Sequence, residues 1–157
     1  DGLSIIPFGN GAERMLNNQD IGTRILNLDL NRHSKAHLCR AALEGIAFSF
    51  VYGMEIMSSD GAKAKVIRAG NDNLFRSAIF AGTIATLIQE EIEIYNTTGA
   101  IGAARACSIY EHGHEKFTSY MNNDHVMTYR PLDNKELYQK AYENWKNELQ
   151  LILKTKK

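Results

Sequence analysis

The sequence predicts an α/β fold in which helices and strands alternate along the chain. A length of 157 residues suits one domain with its own buried core. Hydrophobic residues make up 44% of the chain and charged residues 23%, which is a globular composition rather than a disordered one. Helical and strand patterns alternate in the middle of the chain, and that order predicts parallel strands joined by crossover helices.

The first part of the chain is rich in turn-forming residues and then becomes helical. Residues 3–6 predict a short buried strand, and residues 25–30 form a second apolar stretch whose type the pattern leaves open. Apolar residues at helical spacing predict a long helix over 34–58, ended by the turn formers of 58–61. Gly45 in its middle costs about 1 kcal/mol relative to alanine, which indicates that another backbone or a ligand comes close there.

The central elements follow one another closely. Residues 65–70 predict a strand that ends at Gly70, and residues 74–88 predict an apolar helix. Residues 92–95 predict a second strand, and the small residues of 101–110 predict a further helix.

The last part of the chain changes character. Residues 111–133 are polar, which predicts irregular structure, and residues 134–154 predict an amphipathic helix followed by a basic end at 154–157. The apolar stripe of that helix contains Leu137, Tyr138, Ala141, Tyr142, Trp145, Leu149, Ile152 and Leu153.

Charge and cysteine content exclude several classes of protein. The chain has 18 Lys and Arg against 18 Asp and Glu, which argues against nucleic acid or an anionic membrane as the main partner. The most apolar stretch, 78–88, is about half of the roughly 20 residues that a membrane span needs, and we expect no secretory signal. Cys39 and Cys107 are too few for a disulfide framework, so we expect packing thiols and a cytoplasmic, reducing compartment.

The strongest candidate site is the turn that follows the strand 65–70. A strand that ends at Gly70 and continues into a helix exposes unpaired backbone N–H groups and the positive end of the helix dipole. A phosphate or a ribose hydroxyl can bind there, and Asn71 and Asn73 add side-chain donors and acceptors. The alternative is an ordinary turn in which Asp72 or Asn73 caps the helix.

Two other segments are weaker candidates. Residues 97–106 follow a strand and open a helix of small residues, where Gly99 could let a nucleotide approach or could serve tight packing of helix on sheet. The glycine-rich loop 7–14 carries Glu13 and Arg14, which could face a cleft or could form a solvated surface pair. No metal site is predicted, because His112 and His114 lack a third ligand at suitable spacing.

Four motifs in one order give the chain a family resemblance. They are residues 5–14, a proline-aromatic loop that ends in Glu-Arg; residues 40–48, with Arg-Ala-Ala-Leu-Glu-Gly; residues 69–74; and residues 99–104, with Gly-Ala-Ile-Gly-Ala-Ala. Together they resemble the C-terminal half of the FGGY carbohydrate kinases, most closely the xylulose kinases, over nearly the whole chain. The chain departs from the family at Gly70, which stands alone where the family shows three glycines.

The resemblance implies an actin-like ATPase fold, that is, a ribonuclease-H-like α/β lobe, here N-terminally truncated and extended by the C-terminal amphipathic helix. It implies that 1–157 is a single partial domain of a kinase whose two lobes close on a cleft. Its parts are a cleft loop region over 1–33, an α/β core over 34–110, and a C-terminal extension with its helix over 111–157.

The resemblance also implies a function. The intact enzyme would use ATP and Mg²⁺ to phosphorylate a ketopentose such as D-xylulose. Gly70, Asn71, Asp72 and Asn73 would line the nucleotide site, and the loop with Glu13 and Arg14 would face the interdomain cleft.

No catalytic residue or metal ligand is expected in this chain, because the resemblance implies that the catalytic aspartate belongs to an N-terminal lobe of the same polypeptide. The partners would be ATP, a small sugar and that lobe, with a homodimer also compatible, and the segment alone would be inactive. Two alternatives stay open: the nucleotide-binding lobe of a non-catalytic actin-like sensor or regulator, and a Rossmann-like module with an all-parallel sheet.

Overall fold

The backbone was analysed in a computed structural model that describes residues 2–59, 61 and 66–155, apart from the side chains of residues 120–122. Four residues that the sequence patterns included, Asp60, Lys65, Lys156 and Lys157, lie outside the described residues. In chain order the strands and helices are β1 (Ser4–Ile6), β2 (Arg24–Leu26), α1 (Lys35–Ser59), β3 (Ile67–Gly70), α2 (Ala78–Ile88), β4 (Ile92–Tyr95), α3 (Gly99–Cys107), α4 (Ile109–Asn123), β5 (His125–Tyr129) and α5 (Lys135–Thr155).

The first two strands form a small antiparallel sheet. Strand β1 pairs with β2 so that Ile5 lies opposite Ile25, and the strand predicted over 3–6 is confirmed. Strand β2 includes only the first two residues of the apolar stretch 25–30, together with Arg24 before them. Leu30 is 82% exposed, because the chain turns away from the sheet beyond β2.

The other three strands form a mixed sheet in the order β3, β4, β5. Strands β3 and β4 are parallel, with Ala69 opposite Ile94, and α2 connects them as the alternating pattern predicted. Strand β5 is antiparallel to β4. This mixed order favours the ribonuclease-H-like fold over the Rossmann-like alternative, which requires parallel strands throughout.

The prediction that 111–133 is irregular was wrong, because this segment contains most of α4 and the whole of β5. Helix α4 is kinked at Gly113, whose φ is 75°, and none of its described side chains is buried. The segment is mostly polar and Gly113 interrupts its helical pattern, so its composition resembles that of a loop. The helix predicted over 101–110 is also split, since α3 ends at Cys107 and a new helix begins at Ile109.

The core is built mainly from α1, α2, α5 and the inner faces of both sheets. Its aromatic centre joins α1 to α5: the rings of Phe48 and Trp145 lie 5.9 Å apart, and those of Phe48 and Tyr142 lie 5.7 Å apart. Tyr142, Trp145 and Leu149 are buried, as the predicted stripe of α5 requires. Aromatic side chains bury a large area each and so contribute strongly to stability.

Some predicted apolar positions are exposed instead. Leu137, in the predicted stripe of α5, is 67% exposed, because it lies in the first turn of the helix before the helix meets the core. Cys39 and Cys107 are exposed free cysteines, so the prediction that they are packing thiols was wrong. In the part of the chain that the structure describes, no helix has both the length and the apolar character that a membrane crossing requires.

Gly45 lets the N-terminal strand pack directly against α1. A Cβ atom added to Gly45 would overlap the carbonyl oxygen of Ile5. The same carbonyl accepts a hydrogen bond of 2.9 Å from the indole N–H of Trp145 in α5. The close backbone approach predicted at Gly45 is therefore confirmed, and it joins β1, α1 and α5.

Replacing Gly45 by alanine should lower the stability of the protein. The added methyl group forces β1 away from α1, and overpacking of this kind costs about 1–3 kcal/mol. Gly53 in the same helix provides the control, because its added Cβ would meet only the flexible end of Met15, at 3.5 Å. Gly53→Ala should gain up to about 1 kcal/mol from helix propensity. Urea unfolding measures both, and a Gly45→Ala variant as stable as Gly53→Ala would contradict the packing argument.

Candidate functional site

A cavity of about 280 Å³ lies where β3 and β4 end. Both strands run in the same direction, so the loops that leave their C-terminal ends meet at one edge of the sheet, where α/β proteins commonly bind ligands. Its lining residues are Phe50, Gly70, Asp72, Asn73, Leu74, Phe75, Phe80, Thr98 and Gly99. The structure thus brings together the two separate motifs that the sequence singled out around residues 70 and 99.

The turn after β3 is closed by its own hydrogen bonds. The N–H of Asn71 donates to the carbonyl of Tyr95 at 2.7 Å, and the N–H of Asp72 donates to the carbonyl of Gly70 at 2.7 Å. The N–H of Asn73 donates to the carboxylate of Asp72 at 2.7 Å. The predicted set of unpaired N–H groups at residues 71–73 is therefore wrong, because the chain itself supplies their acceptors.

Gly70 is required by packing between the two loops. A Cβ atom at this position would overlap the carbonyl oxygen of Thr97, so any other residue would push the loops apart. After Gly70 the chain enters a short 3₁₀ helix (Asn73–Arg76), which Asp72 caps, before α2 begins behind its own cap, Ser77. The predicted helix over 74–88 thus starts as a tighter turn. Asn73 is in the left-handed region with φ of 48°, where asparagine is better tolerated than most residues.

The second side of the cavity is the start of α3. The hydroxyl of Thr98 accepts a hydrogen bond from the N–H of Ile101 at 3.3 Å and caps the helix. No residue of α3 is buried, and a Cβ atom at Gly99 or Gly102 would meet nothing within 4 Å among the described atoms. Tight packing of this helix on the sheet, one of the two interpretations of its small residues, is therefore not observed among the described residues.

An aromatic wall that sequence reasoning missed completes the cavity. The rings of Phe50 and Phe80 lie 5.4 Å apart and those of Phe75 and Phe80 lie 5.2 Å apart, each edge to face. Phe80 is fully buried, whereas Phe50 is 47% exposed and so presents part of its ring at the surface. In the sequence, Phe50 fits the apolar spacing of α1 and looks like a core residue. Only the structure shows that it lines the cavity beside the turn after β3.

The charge of the cavity is negative. Among the described residues that line it, Asp72 is the one ionisable side chain and none is Lys or Arg. In the described residues, no group of three or more His, Cys, Asp or Glu side chains is arranged to hold a metal ion.

The outer face of the mixed sheet carries a polar cluster beside the cavity. Glu93 accepts hydrogen bonds from the guanidinium of Arg68 at 2.9 Å and from the hydroxyl of Tyr95 at 2.7 Å. The hydrogen bond from Arg68 is the main reason that the pKa of Glu93 is lowered below its ordinary value of 4.5. The hydrogen bond to Glu93 raises the pKa of Tyr95. The ring of His125 packs edge-on against Tyr95, with centroids 5.6 Å apart.

Glu13 and Arg14 lie in another part of the structure. Glu13 precedes a short 3₁₀ helix (Arg14–Leu16) and pairs with Gln19 in an isolated β-bridge. Arg14 is exposed, and neither residue lines the cavity beside Gly70. The cleft-facing role predicted for these two residues stays a prediction.

A larger open groove of about 690 Å³ lies between the first sheet, α1 and α5. Its walls combine exposed polar residues such as Lys140 and Asn144 with the buried aromatic residues Phe48 and Trp145. It shares no lining residue with the smaller cavity and contains none of the residues that the sequence predicted to bind nucleotide.

Comparison with known proteins places this fold. No family model matches the chain. A xylulose kinase of Haemophilus influenzae is 28% identical over 160 residues, an alignment that covers 92% of this chain and 30% of the relative. The crystal structure of a xylulose kinase from Rhodospirillum rubrum superposes with a TM-score of 0.75 at 21% identity, covering 97% of this chain and 31% of that protein.

A glycerol kinase of Plasmodium falciparum, solved with ADP, gives a TM-score of 0.76 at 19% identity, again over 97% of this chain and 31% of the other. The chain therefore spans about 30% of the length of these relatives. The resemblance to the FGGY carbohydrate kinases and the actin-like ATPase fold that it implies are both confirmed.

The cluster at Glu93 should make stability depend on pH in the acid range. A lowered pKa in the folded state means that Glu93 stabilises the fold fully above its unfolded value near 4.5, and that this contribution is lost as the pH falls through the folded value. Glu93→Gln should therefore be less stable than the wild type at pH 7, and the difference should shrink below about pH 4.5. Glu143→Gln, at an exposed position in the middle of α5, is the control. Urea unfolding at several pH values measures the effect, and a difference independent of pH would contradict the assignment.

Proposed function

We propose that this chain is the nucleotide-binding, C-terminal part of an ATP-dependent sugar kinase and that the cavity beside Gly70 holds the nucleoside end of ATP. One observation carries the proposal: the turn after β3, the start of α3 and an aromatic wall line a single cavity at the C-terminal ends of two parallel strands. The named relatives, which are kinases, support it.

The charge of the cavity favours the nucleoside over the phosphates. The carboxylate of Asp72 would repel a triphosphate, and none of the described lining residues is cationic and could offset that repulsion. A carboxylate and the side-chain amide of Asn73 are instead suitable acceptors and donors for ribose hydroxyls. These residues support the nucleotide role that the resemblance implies for Gly70, Asp72 and Asn73, whereas Asn71, the fourth residue of that predicted set, is not among the lining residues.

The aromatic wall supplies a surface for the base. Phe50 presents part of its ring at the cavity, and its edge-to-face contacts with Phe75 and Phe80 hold it in place. A flat heteroaromatic base can pack against such a ring and remove apolar surface from water. The N-terminus of α3 at Thr98 and Gly99 presents the positive end of its dipole, which suits the α-phosphate.

The reaction proposed for the intact enzyme transfers the γ-phosphoryl group of ATP to a hydroxyl of a ketopentose such as D-xylulose, giving ADP and a sugar phosphate. Such a transfer needs an attacking hydroxyl in line with the leaving group and a base that accepts its proton. We place that base, and the sugar site, in an N-terminal lobe of the same polypeptide. The role of this chain is to bind and orient the nucleotide while closure of the two lobes excludes water.

Mg²⁺ would accompany ATP in that reaction. The proposal implies a cytoplasmic location, where ATP is available and exposed thiols such as Cys39 stay reduced. A nucleotide-binding sensor without catalysis is the alternative, and an aspartate poised at the sugar hydroxyl in the other lobe would separate the two.

Removing the side chain of Asn73 should weaken ATP binding. In the full-length protein, Asn73→Ala should raise the KM for ATP with little effect on the KM for the sugar. Because Asn73 has a left-handed backbone, Asn73→Gly is the better variant: glycine keeps that conformation and removes only the side chain. Asn18→Gly, at another left-handed asparagine, is the matched control. An unchanged KM for ATP in both Asn73 variants removes this side chain from the site.

The 157-residue chain alone should not phosphorylate a sugar, because the proposed catalytic base is not part of it. The measurement is ADP release on mixing the purified chain with ATP, Mg²⁺ and D-xylulose. The control is the same mixture with the full-length protein. Turnover by the isolated chain above the background of ATP hydrolysis would show that the base has been assigned to the wrong lobe.

A further inference from the structure

Tyr95, the last residue of β4, connects the two loops that border the cavity. Its carbonyl oxygen accepts a hydrogen bond from the N–H of Asn71 at 2.7 Å and a second one from the N–H of Thr97 at 2.8 Å. Asn71 belongs to the turn after β3, and Thr97 leads into α3. One main-chain carbonyl therefore holds both sides of the cavity.

The position of that carbonyl depends on how Tyr95 is held. The pairing of β4 with β5 is irregular between Ile94 and Tyr95, so the regular ladder holds the end of β4 from one side only, through the parallel pair of Gly70 and Tyr95. The side chain supplies a second restraint: Tyr95 is buried, and its hydroxyl donates to Glu93 at 2.7 Å.

The restraint extends across the sheet. Glu93 lies opposite Arg68 in β3 and accepts its guanidinium N–H at 2.9 Å. Hydrogen bonds to a carboxylate are stronger than those between neutral groups. The Tyr95 side chain is thus tied to both parallel strands, two residues before each of them enters its cavity loop.

We infer that Tyr95 is a positioning residue for nucleotide binding: its hydroxyl, anchored on Glu93, fixes the carbonyl that sets the distance between the Gly70 turn and the start of α3. The inference rests on the proposed function, because it assigns Tyr95 a role in the same site. Tyr95 is not among the residues that line the cavity, so it acts through Asn71 and Thr97 and not by touching the nucleotide.

The test is the variant Tyr95→Phe in the full-length protein, which keeps the ring and removes only the hydroxyl. Loss of a hydrogen bond to a carboxylate should weaken ATP binding by roughly threefold to tenfold, measured by titration calorimetry, and should leave the KM for the sugar unchanged. Tyr129→Phe is the matched control, because Tyr129 lies opposite Ile92 at the other end of the same strand pair. It should bind ATP like the wild type.

A second readout needs no nucleotide. Amide hydrogen exchange of Asn71 and Thr97 should be accelerated more in Tyr95→Phe than exchange at buried residues of α1 such as Ala47, which reports only the loss of global stability. A merely structural role would accelerate exchange in both regions by the same factor. Glu93→Gln, which leaves Tyr95 intact, should give the same local change in exchange, and it decides the matter if Tyr95→Phe does not fold.

The outcomes separate the inference from the proposed function. If Asn73→Gly weakens ATP binding but Tyr95→Phe and Glu93→Gln do not, the inference is overturned and the nucleotide site stands. If the wild type does not bind ATP, the proposed function is overturned and the inference with it. Weaker ATP binding in Tyr95→Phe, together with amide exchange accelerated more at Asn71 and Thr97 than at Ala47, supports both the inference and the proposed function.

Discussion

The fold depends on one main-chain carbonyl, that of Ile5. Two partners from distant parts of the chain meet it: the bare Cα of Gly45 in α1 and the indole N–H of Trp145 in α5. Both contacts are made to the same carbonyl, so α1 and α5 meet at the same point of β1. The N-terminal sheet, the longest helix and the last helix share one core, and Phe50, farther along α1, lines the candidate site.

The candidate site also depends on a glycine that packs against a main-chain carbonyl. Gly70 packs against the carbonyl of Thr97, and the carbonyl of Tyr95 accepts hydrogen bonds from both neighbouring loops. In each place a glycine and a carbonyl bring two backbones closer than side chains would allow. The result is a small cavity with defined walls, built from loops that could otherwise move independently. An aromatic surface and the carboxylate of Asp72 line that cavity.

The solved structures that share this fold are longer kinases. The chain corresponds to about a third of the solved kinases that share its fold. Under the proposed function, the cavity would hold the nucleoside end of ATP, with the β- and γ-phosphates outside it. Closure of the two proposed lobes would then bring the nucleotide and the sugar together.

Local patterns in the sequence were sufficient for the elements whose burial is regular. The apolar spacing of α1, α2 and α5 predicted helices, the strands around Ile67 and Ile94 were predicted from short apolar runs, and the glycine at position 45 indicated a close approach. The same reasoning failed for α4 and β5, because α4 is mostly polar and contains Gly113, and β5 is short and follows this polar segment. The break between the 3₁₀ helix and α2 at Ser77 was also missed, since it depends on where the turn after Gly70 is held.

The sequence alone determined that residues 70–73 and 97–99 follow strands and open helices, and therefore that both could contribute to one site. Only the tertiary structure decided that they share a cavity, that the N–H groups of residues 71–73 are already bonded within the chain, and that Phe50 completes the wall. The reason is physical: which acceptor a backbone N–H finds, and which face of a helix meets a loop, depend on contacts between residues far apart in the chain, and no local pattern records them.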